Sequence, residues 1–582
     1  MENAVKNKPS EVKPWLQFFS KEAIESEMPR DTIYNVVKRN NENFRDSYAL
    51  NYFTRRITYG EFLDKVEAAA SSFKKLGVKA GDIVVCCTVT IPEMVYALYA
   101  LNKLGATLFT VDPRMPGEFV KNRIEESNAD ILIFLDLAYP LLKPVIPELK
   151  VKKMISYSVS LSMPAYIKPL VRFKMPSPEI EYNEKICDWK TFMKLGKGVK
   201  TEAVEYGENN VAAITLTGGT TGTPKGVMIT NDGFNAIMHD FKNCGVSYTR
   251  RQRFLDIIPS FASYGIVASL HMPLGLGLEV VIIPKFNPER VGYYIKKYKP
   301  AHTLLVPAHY EKLMNSKEMA NGFDLSFFET AGSGGDTMNE GLEQKLNDFL
   351  KSRGAKYPLS QGYGMSEVSS AAACHCNGNF RSMSVGYPLL TTMISIFEPG
   401  TTNELGFNEE GEICITGPSI MAGYFHNEKE SKEVMVEHPD GQVWIHSGDL
   451  GYMDEDGFIF IKGRIKRMIT LSTGHKVFPT QIEDVMGKNP HVYSCAAVGV
   501  KDRVHAQGMN PLAVVQLAEG ADSEQVKKEL FESFNKDLDA PSIPFDIWFV
   551  DKMPRTSMDK IAYGQLSDDY EAMIDEQEKA NK

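Results

Sequence analysis

Thr215-Leu216-Thr217-Gly218-Gly219-Thr220-Thr221-Gly222-Thr223-Pro224-Lys225-Gly226 follows the apolar run Val211 to Ile214. From Thr217 on, the stretch holds four glycines, four threonines and a lysine. Glycines let backbone N–H groups converge on an anion, hydroxyls donate further hydrogen bonds, and lysine adds a point charge. A buried strand opening into such a loop describes a polyphosphate cradle. It is not the GxxxxGK[ST] loop, because Pro224 precedes Lys225 and Gly226 stands where Ser or Thr belongs. A P-loop kinase or ATPase is therefore disfavoured, and the bland alternative is a flexible Gly/Thr-rich linker.

The sequence on either side alternates helical and strand-like segments, the sign of a parallel sheet with crossover helices. Glu61 to Leu76 carries Phe62, Val66, Ala69 and Phe73 at helical spacing and is stopped by Gly77. The apolar strand Ile83 to Cys87, a helix from Pro92 to Leu104, and the strand Thr107 to Val111 follow. Later, Leu278 to Ile283 reads as a strand, Asn287-Pro288-Glu289 caps a helix reaching Tyr298, and Thr303 to Val306 reads as a further strand. The fold class is α/β.

At 582 residues the chain exceeds the ~250–300 residues that one core organises, so at least two domains are expected. The boundary falls near Gly463-Arg464-Ile465-Lys466-Arg467, after a hairpin around Asp454-Glu455-Asp456-Gly457. This predicts a large N-terminal domain over 1–464 and a small C-terminal lid over 465–582, ending in a charged helix from Asp568 to Ala580. With 65 basic against 74 acidic residues the net charge is -9, which gives no global attraction to nucleic acid or anionic membrane. No run approaches the roughly 18–20 apolar residues of a membrane span. The eight cysteines lack framework spacing, so a reduced, cytoplasmic location is expected. Cys374-His375-Cys376 is a weak metal signal, since structural zinc wants four ligands, and ordinary packed thiols are the preferred reading. Tyr166 to Met175 mixes basic and apolar groups. A surface excursion with lysine stems over apolar surface is favoured there, and contact with a membrane surface is the sharper alternative.

The loop at 215–226 closely resembles the phosphate-binding signature of the adenylate-forming superfamily, which comprises acyl-CoA synthetases, nonribosomal-peptide adenylation domains and luciferases. Its Thr-Gly-Gly-Thr-Thr-Gly form, with Gly218 where Ser is usual, looks like the fatty acyl-CoA synthetase branch. Further motifs recur in order over about 50–565. The resemblance implies a large domain of parallel-rich sheets with a β-barrel-like part, and a small mobile α+β domain. It implies that Thr217, Gly218, Gly219, Thr220, Thr221, Gly222, Thr223 and Lys225 bind the phosphates of ATP. In Gln361-Gly362-Tyr363-Gly364-Met365-Ser366-Glu367, it implies that Tyr363 packs on adenine, Ser366 bonds phosphate, and Glu367 holds magnesium, with Thr220 beside it. A hard cation needs such oxygen ligands.

Gly332-Ser333-Gly334-Gly335-Asp336 resembles the segment bordering adenine and the acyl pocket, through Gly334 and Gly335. Asp449 and Arg464 resemble the ribose-binding pair. Lys560 matches the catalytic lysine of the small domain, with Asp559 replacing the usual glycine before it. Lys466 matches the hinge, about which the small domain would present either Lys560 for adenylation or the Gly474 segment, facing coenzyme A, for thioester formation. In Pro259-Ser260-Phe261-Ala262-Ser263, the family usually places a bulky aromatic or histidine at Ala262. A small residue there leaves space for the acid, and the expected pocket comprises Phe261, Ala262, Gly334 and Gly364.

The implied activity is ATP- and Mg²⁺-dependent ligation of a carboxylic acid to coenzyme A through acyl-AMP. A medium- or long-chain fatty acid is the first choice, because each buried methylene contributes about 0.8 kcal/mol. Loading of a carrier protein is the alternative; a non-catalytic binder is disfavoured by the joint presence of Lys225, Glu367, Asp449, Arg464 and Lys560.

Overall fold

The computed structural model describes residues 7–174, 176–217, 224–336, 338–505, 507–555 and 561–580. Two large sheets dominate it. One has seven strands in the order Ile186–Asp188, Lys153–Tyr157, Ile131–Leu135, Ile83–Cys87, Thr107–Val111, Val211–Leu216 and Gly226–Thr230. All pairs are parallel except the last, which is the antiparallel hairpin flanking residues 217–225. The other sheet has nine strands, whose middle runs Ser360–Tyr363, Thr330–Ser333, His302–Leu305, Arg253–Asp256, Glu279–Ile282 and Tyr48–Tyr52, all parallel. Ala373–Cys374 extends it antiparallel to Ser360–Tyr363.

Local chemistry explains the crossover helices. Thr58 accepts from the Glu61 amide and starts the helix Tyr59–Lys75, two residues earlier than its apolar spacing predicts. Phe62, Val66, Ala69 and Phe73 face the core, and Gly77 leaves in the left-handed region at φ 91°. The next helix, Pro92–Lys103, has proline in its first turn and is buried on every side, so its near-continuous apolar sequence suits a central position. Asn287 caps a 3₁₀ turn, Pro288–Arg290, that leads into the helix Val291–Tyr298. Against expectation, Lys168–Lys174 forms a helix. Pro169 lies in its first turn, where a missing N–H costs nothing.

A five-stranded antiparallel sheet, curled into half a barrel, supplies the barrel-like part. Its long hairpin pairs Val443–Met453 with Ile459–Arg464 and turns at 454–457. After a 3₁₀ turn at Ile465–Arg467, the chain forms a two-stranded hairpin, a three-stranded sheet and three helices, the last running from Tyr563 to Ala580. That last helix begins five residues before the expected Asp568, because Tyr563 and Leu566 pack into the small core. Among the described residues, no helix is long and apolar enough to cross a membrane.

Candidate active site

One cavity of about 1180 Å³ runs between the ends of the two large sheets. Phe261, Ala262, Gly334 and Gly335 line it, as do Gly362, Tyr363, Gly364 and Ser366 from the 361–367 segment. Its other walls are largely apolar, with Leu137, Leu141, Met163, Val171, Leu304 and Phe286, and also carry Thr90, Lys285 and His309. Phe261 and Ala262 precede a π-helical segment, Tyr264–His271, a form that often marks functional sites. Arg114 also reaches the cavity; its guanidinium pairs with Asp112 at 2.6 Å and lies 5.9 Å from the Phe261 ring centre.

Backbone strain lies just beyond the 361–367 segment. Ser369 and Ser370, just beyond it, both have positive φ, 60° and 125°, a conformation that costs about 1–3 kcal/mol at a non-glycine residue. The strain brings the Ser370 carbonyl so close to Gly364 that a Cβ there would lie 2.0 Å from it. Only glycine tolerates that approach. The Gln361 amide faces away from the cavity and bonds Glu343, so this position contributes its backbone, whose carbonyl accepts from the His375 amide.

Tyr363 and Asp449 meet in a buried pair. The phenol donates to Asp449 Oδ2 at 2.7 Å, and Arg464 Nε lies 2.9 Å from Oδ1. Burial, reinforced by the carboxylate, pushes the Tyr363 phenol well above its ordinary range. The expected adenine-stacking ring and the expected ribose pair are thus one hydrogen-bonded unit, although Asp449 and Arg464 come from the distant hairpin.

Thr217 and Lys225, at the two ends of the candidate phosphate-binding segment, are bonded to each other. The Thr217 amide donates to the Lys225 carbonyl at 2.9 Å, and the Lys225 amide donates to Thr217 Oγ1 at 3.0 Å. The Lys225 ammonium lies 4.7 Å from the Tyr424 ring centre and is ion-paired with Glu430. Tyr424 donates in turn to Glu367 Oε1 at 2.6 Å, and burial and Glu367 raise its pKa. Glu367 is buried, and the Ser366 hydroxyl accepts from Ser263 Oγ at 3.1 Å. The Glu367 carboxylate offers the hard oxygen donor that magnesium prefers. The expected partners at 218–223, Thr220 among them, lie outside the described residues.

Lys560 likewise lies outside the described residues, but Arg555, five positions before it, lines the cavity. Lys466 sits in the 3₁₀ turn Ile465–Arg467, and its charge acts on Glu430. The next residue anchors that turn: Arg467 pairs with Glu483 at 2.6 Å and stacks 3.5 Å from the Tyr563 ring centre. Gly474 is exposed, has no atom within 4 Å of a notional Cβ, and does not line the cavity.

The model of the AMP-binding enzyme family matches residues 37–425, and that of the AMP-binding enzyme C-terminal domain matches 481–560. The chain belongs to the AMP-binding enzymes. Among relatives of this AMP-binding enzyme, a Bacillus subtilis (strain 168) long-chain-fatty-acid–CoA ligase is 27% identical over 575 residues, covering 95% of this chain and 97% of the relative. A probable 4-coumarate–CoA ligase 1 of Dictyostelium discoideum is 28% identical over 514 residues, covering 87% and 89%. The fold is similar to that of ATP-bound MatB from Rhodopseudomonas palustris, with a TM-score of 0.78 at 20% identity, over 92% of this chain and 99% of that one. The AMP-binding enzyme is thus a member of the adenylate-forming superfamily. Tyr424 and Glu430 are the site residues that no motif signalled. They lie between the recognisable segments, and only the tertiary fold brings them to Lys225 and Glu367.

Proposed function

We propose that this enzyme is an AMP-forming acyl-CoA ligase for medium- or long-chain fatty acids. The observation that carries the reading is the single cavity joining the 361–366 segment to an apolar tunnel. An acid seated there places its carboxylate beside Gly334, Gly362 and Ser366 and buries its chain between Leu137, Met163, Val171 and Leu304. The names of the relatives support CoA ligation.

In the first half-reaction a carboxylate oxygen bonds the α-phosphorus of ATP, and the bond to pyrophosphate breaks. Lys225, the loop at 217–223 and Lys560 offset the charge that builds on phosphate oxygens. Asp449 and Arg464 fix the ribose, and Tyr363 packs on adenine. Magnesium, held by Glu367 and Thr220, would neutralise phosphate charge when bound with ATP, and Ser366 would bond phosphate. In the second half-reaction the coenzyme A thiolate bonds the acyl carbon and AMP leaves. We assign 1–464 to the adenylate-forming domain, 465–582 to the lid and Lys466 to the pivot, with Arg555 marking the arrangement that serves adenylation and Gly474 turning in for thioester formation. The eight free cysteines suit a reducing cytoplasm.

Lipid substrates suggest peripheral contact with a bilayer. Tyr166, Leu170 and Phe173 are 75%, 56% and 88% exposed beside the tunnel-lining Val171, Leu137 and Leu141. Co-sedimentation with phosphatidylcholine–phosphatidylglycerol vesicles, lost in Phe173→Asp, tests this.

Pyrophosphate release from ATP with a panel of acids, with and without coenzyme A, tests the function. Release with fatty acids that accelerates with coenzyme A is expected. Release indifferent to coenzyme A would transfer the reading to carrier-protein loading, and no release with any acid would overturn it.

A further inference from the structure

Three cysteines converge on the wall of the cavity. Cys374 and Cys376 alternate with His375 along one extended segment, so their side chains share a face, and their sulfurs lie 3.1 Å apart. The third, Cys244, caps the end of the helix Asn231–Asn243, donates to the Phe241 carbonyl at 3.2 Å and lies beside Cys376. All three are buried from bulk solvent, yet Cys374 lines the cavity. A small apolar reagent that fits the acyl tunnel therefore reaches this group from inside. The neighbouring Cys376 lowers the Cys244 thiol, while Cys376, set between Cys244 and Cys374, is raised well above its ordinary range.

The position matters to the chemistry beside it. Cys374 is the cross-strand partner of Gly362, and Ala373 that of Tyr363, so the thiol strand backs the 361–367 segment directly. That strand has no slack on its far side: a Cβ on Gly386 would lie 2.0 Å from the Cys374 carbonyl carbon.

We propose that Cys374 and Cys376 form an oxidisable dithiol site that a small disulfide entering the acyl cavity converts to a protein disulfide, disabling adenylation. Cys374 attacks one sulfur of the reagent RSSR, its S–H proton leaves with the departing RS⁻ as RSH, and a mixed disulfide remains. Cys376 then attacks Cys374 Sγ and gives up its S–H proton. The second RS⁻ departs and takes that proton as a second RSH. The balance is two protein thiols and one RSSR giving one protein disulfide and two RSH. Bond formation draws the two sulfurs together and shifts the strand that carries Gly362 and Tyr363.

The test uses the full-length enzyme and 4,4′-dithiodipyridine, an apolar aromatic disulfide. Expected are two thiopyridone equivalents released per chain from this site, a Cys374–Cys376 linkage in peptide mass mapping, and loss of acid-dependent pyrophosphate release on the order of tenfold or more, since small displacements near reacting groups cost that much. Dithiothreitol restores activity, and a bound long-chain acid slows the modification. Cys376→Ser should stop at the mixed disulfide, releasing one equivalent there. Modification confined to other cysteines, or the same two-equivalent release from that site in Cys376→Ser, would overturn the proposal. Thiopyridone release and mapping read out the chemistry whatever acid the enzyme activates, so failure of this site and failure of the fatty-acid reading remain distinguishable.

Discussion

The Lys225 ammonium is ion-paired with the Glu430 carboxylate. Glu430 belongs to the short helix Glu428–Val434, which Asn427 caps through the Glu430 amide. Its pKa is held down first by Lys225 and further by Lys466 of the 3₁₀ turn Ile465–Arg467. One carboxylate thus faces both the phosphate-loop lysine and the proposed pivot. A polyphosphate that takes Lys225 must displace Glu430, which leaves Glu430 to Lys466.

Glu430→Gln removes a competitor for Lys225 while keeping the side chain's size. The expected result is a KM for ATP lowered several-fold, more strongly at low ionic strength, because partly exposed charges are screened by salt. Steady-state pyrophosphate release at two salt concentrations measures it. An unchanged KM at low salt would mean that Lys225 is not drawn from Glu430 by phosphate.

Tyr424→Phe deletes the 2.6 Å hydrogen bond to Glu367 and leaves a buried carboxylate oxygen without its donor. A charge-assisted bond of this kind contributes about 1.5–3 kcal/mol. The magnesium concentration for half-maximal activity should rise, with the maximal rate largely recovered at saturating metal. Glu367→Gln should not recover. A magnesium titration of both variants decides it, and equal behaviour would remove Tyr424 from any part in orienting Glu367.

The alternation around 83–111 and 279–305 made the two sheets legible, because parallel strands buried on both faces read as continuous apolar runs. Tyr363, Glu367 and Asp449 were legible because each stands in a dense motif. Glu430 and Tyr424 were not: an exposed helix of mixed charge and a lone aromatic look like ordinary surface and core until the half-barrel sheet packs beside the loop. The same holds for Cys244, whose partners lie some 130 positions away (374 against 244) and share no local pattern with it. The helix at 168–174 was hidden by Pro169, which breaks a helix anywhere except in its first turn.

Asp449→Asn should raise the KM for ATP by on the order of tenfold or more, since the carboxylate accepts from Tyr363 and pairs with Arg464, and we propose that it also binds the ribose. Tyr363→Phe removes one donor and keeps the ring, so its effect should be smaller. KM values for ATP and for 2′-deoxy-ATP separate the roles: Asp449→Asn should narrow the difference between the two nucleotides, and an undiminished difference would place Asp449 away from the sugar.

Ala262 is 8% exposed and lines the cavity. Ala262→Trp places an indole in the tunnel and should shorten the longest acid accepted. The activity profile over straight-chain acids checks it; an unchanged profile would place the chain elsewhere.

Glu93 carries a pH dependence that the fold itself imposes. It is buried in the helix Pro92–Lys103, where Ser162 Oγ donates to Oε1 at 2.6 Å and Oε2 has no partner among the described residues. Burial pushes its carboxyl up to about 7 from 4.5. The folded state therefore holds a proton that the unfolded chain releases, and stability falls as pH rises from about 4.5 through about 7, then levels. Glu93→Gln keeps the shape and cannot ionise, so its Tm should exceed that of the wild type at about pH 8 and approach it at about pH 5. Other buried carboxyls titrate nearby, Asp240 among them at about 7, so the difference between the two proteins, and not either curve alone, isolates Glu93. A Tm difference that does not change with pH would mean that Glu93 is ionised in the folded enzyme and is paired by a cation there.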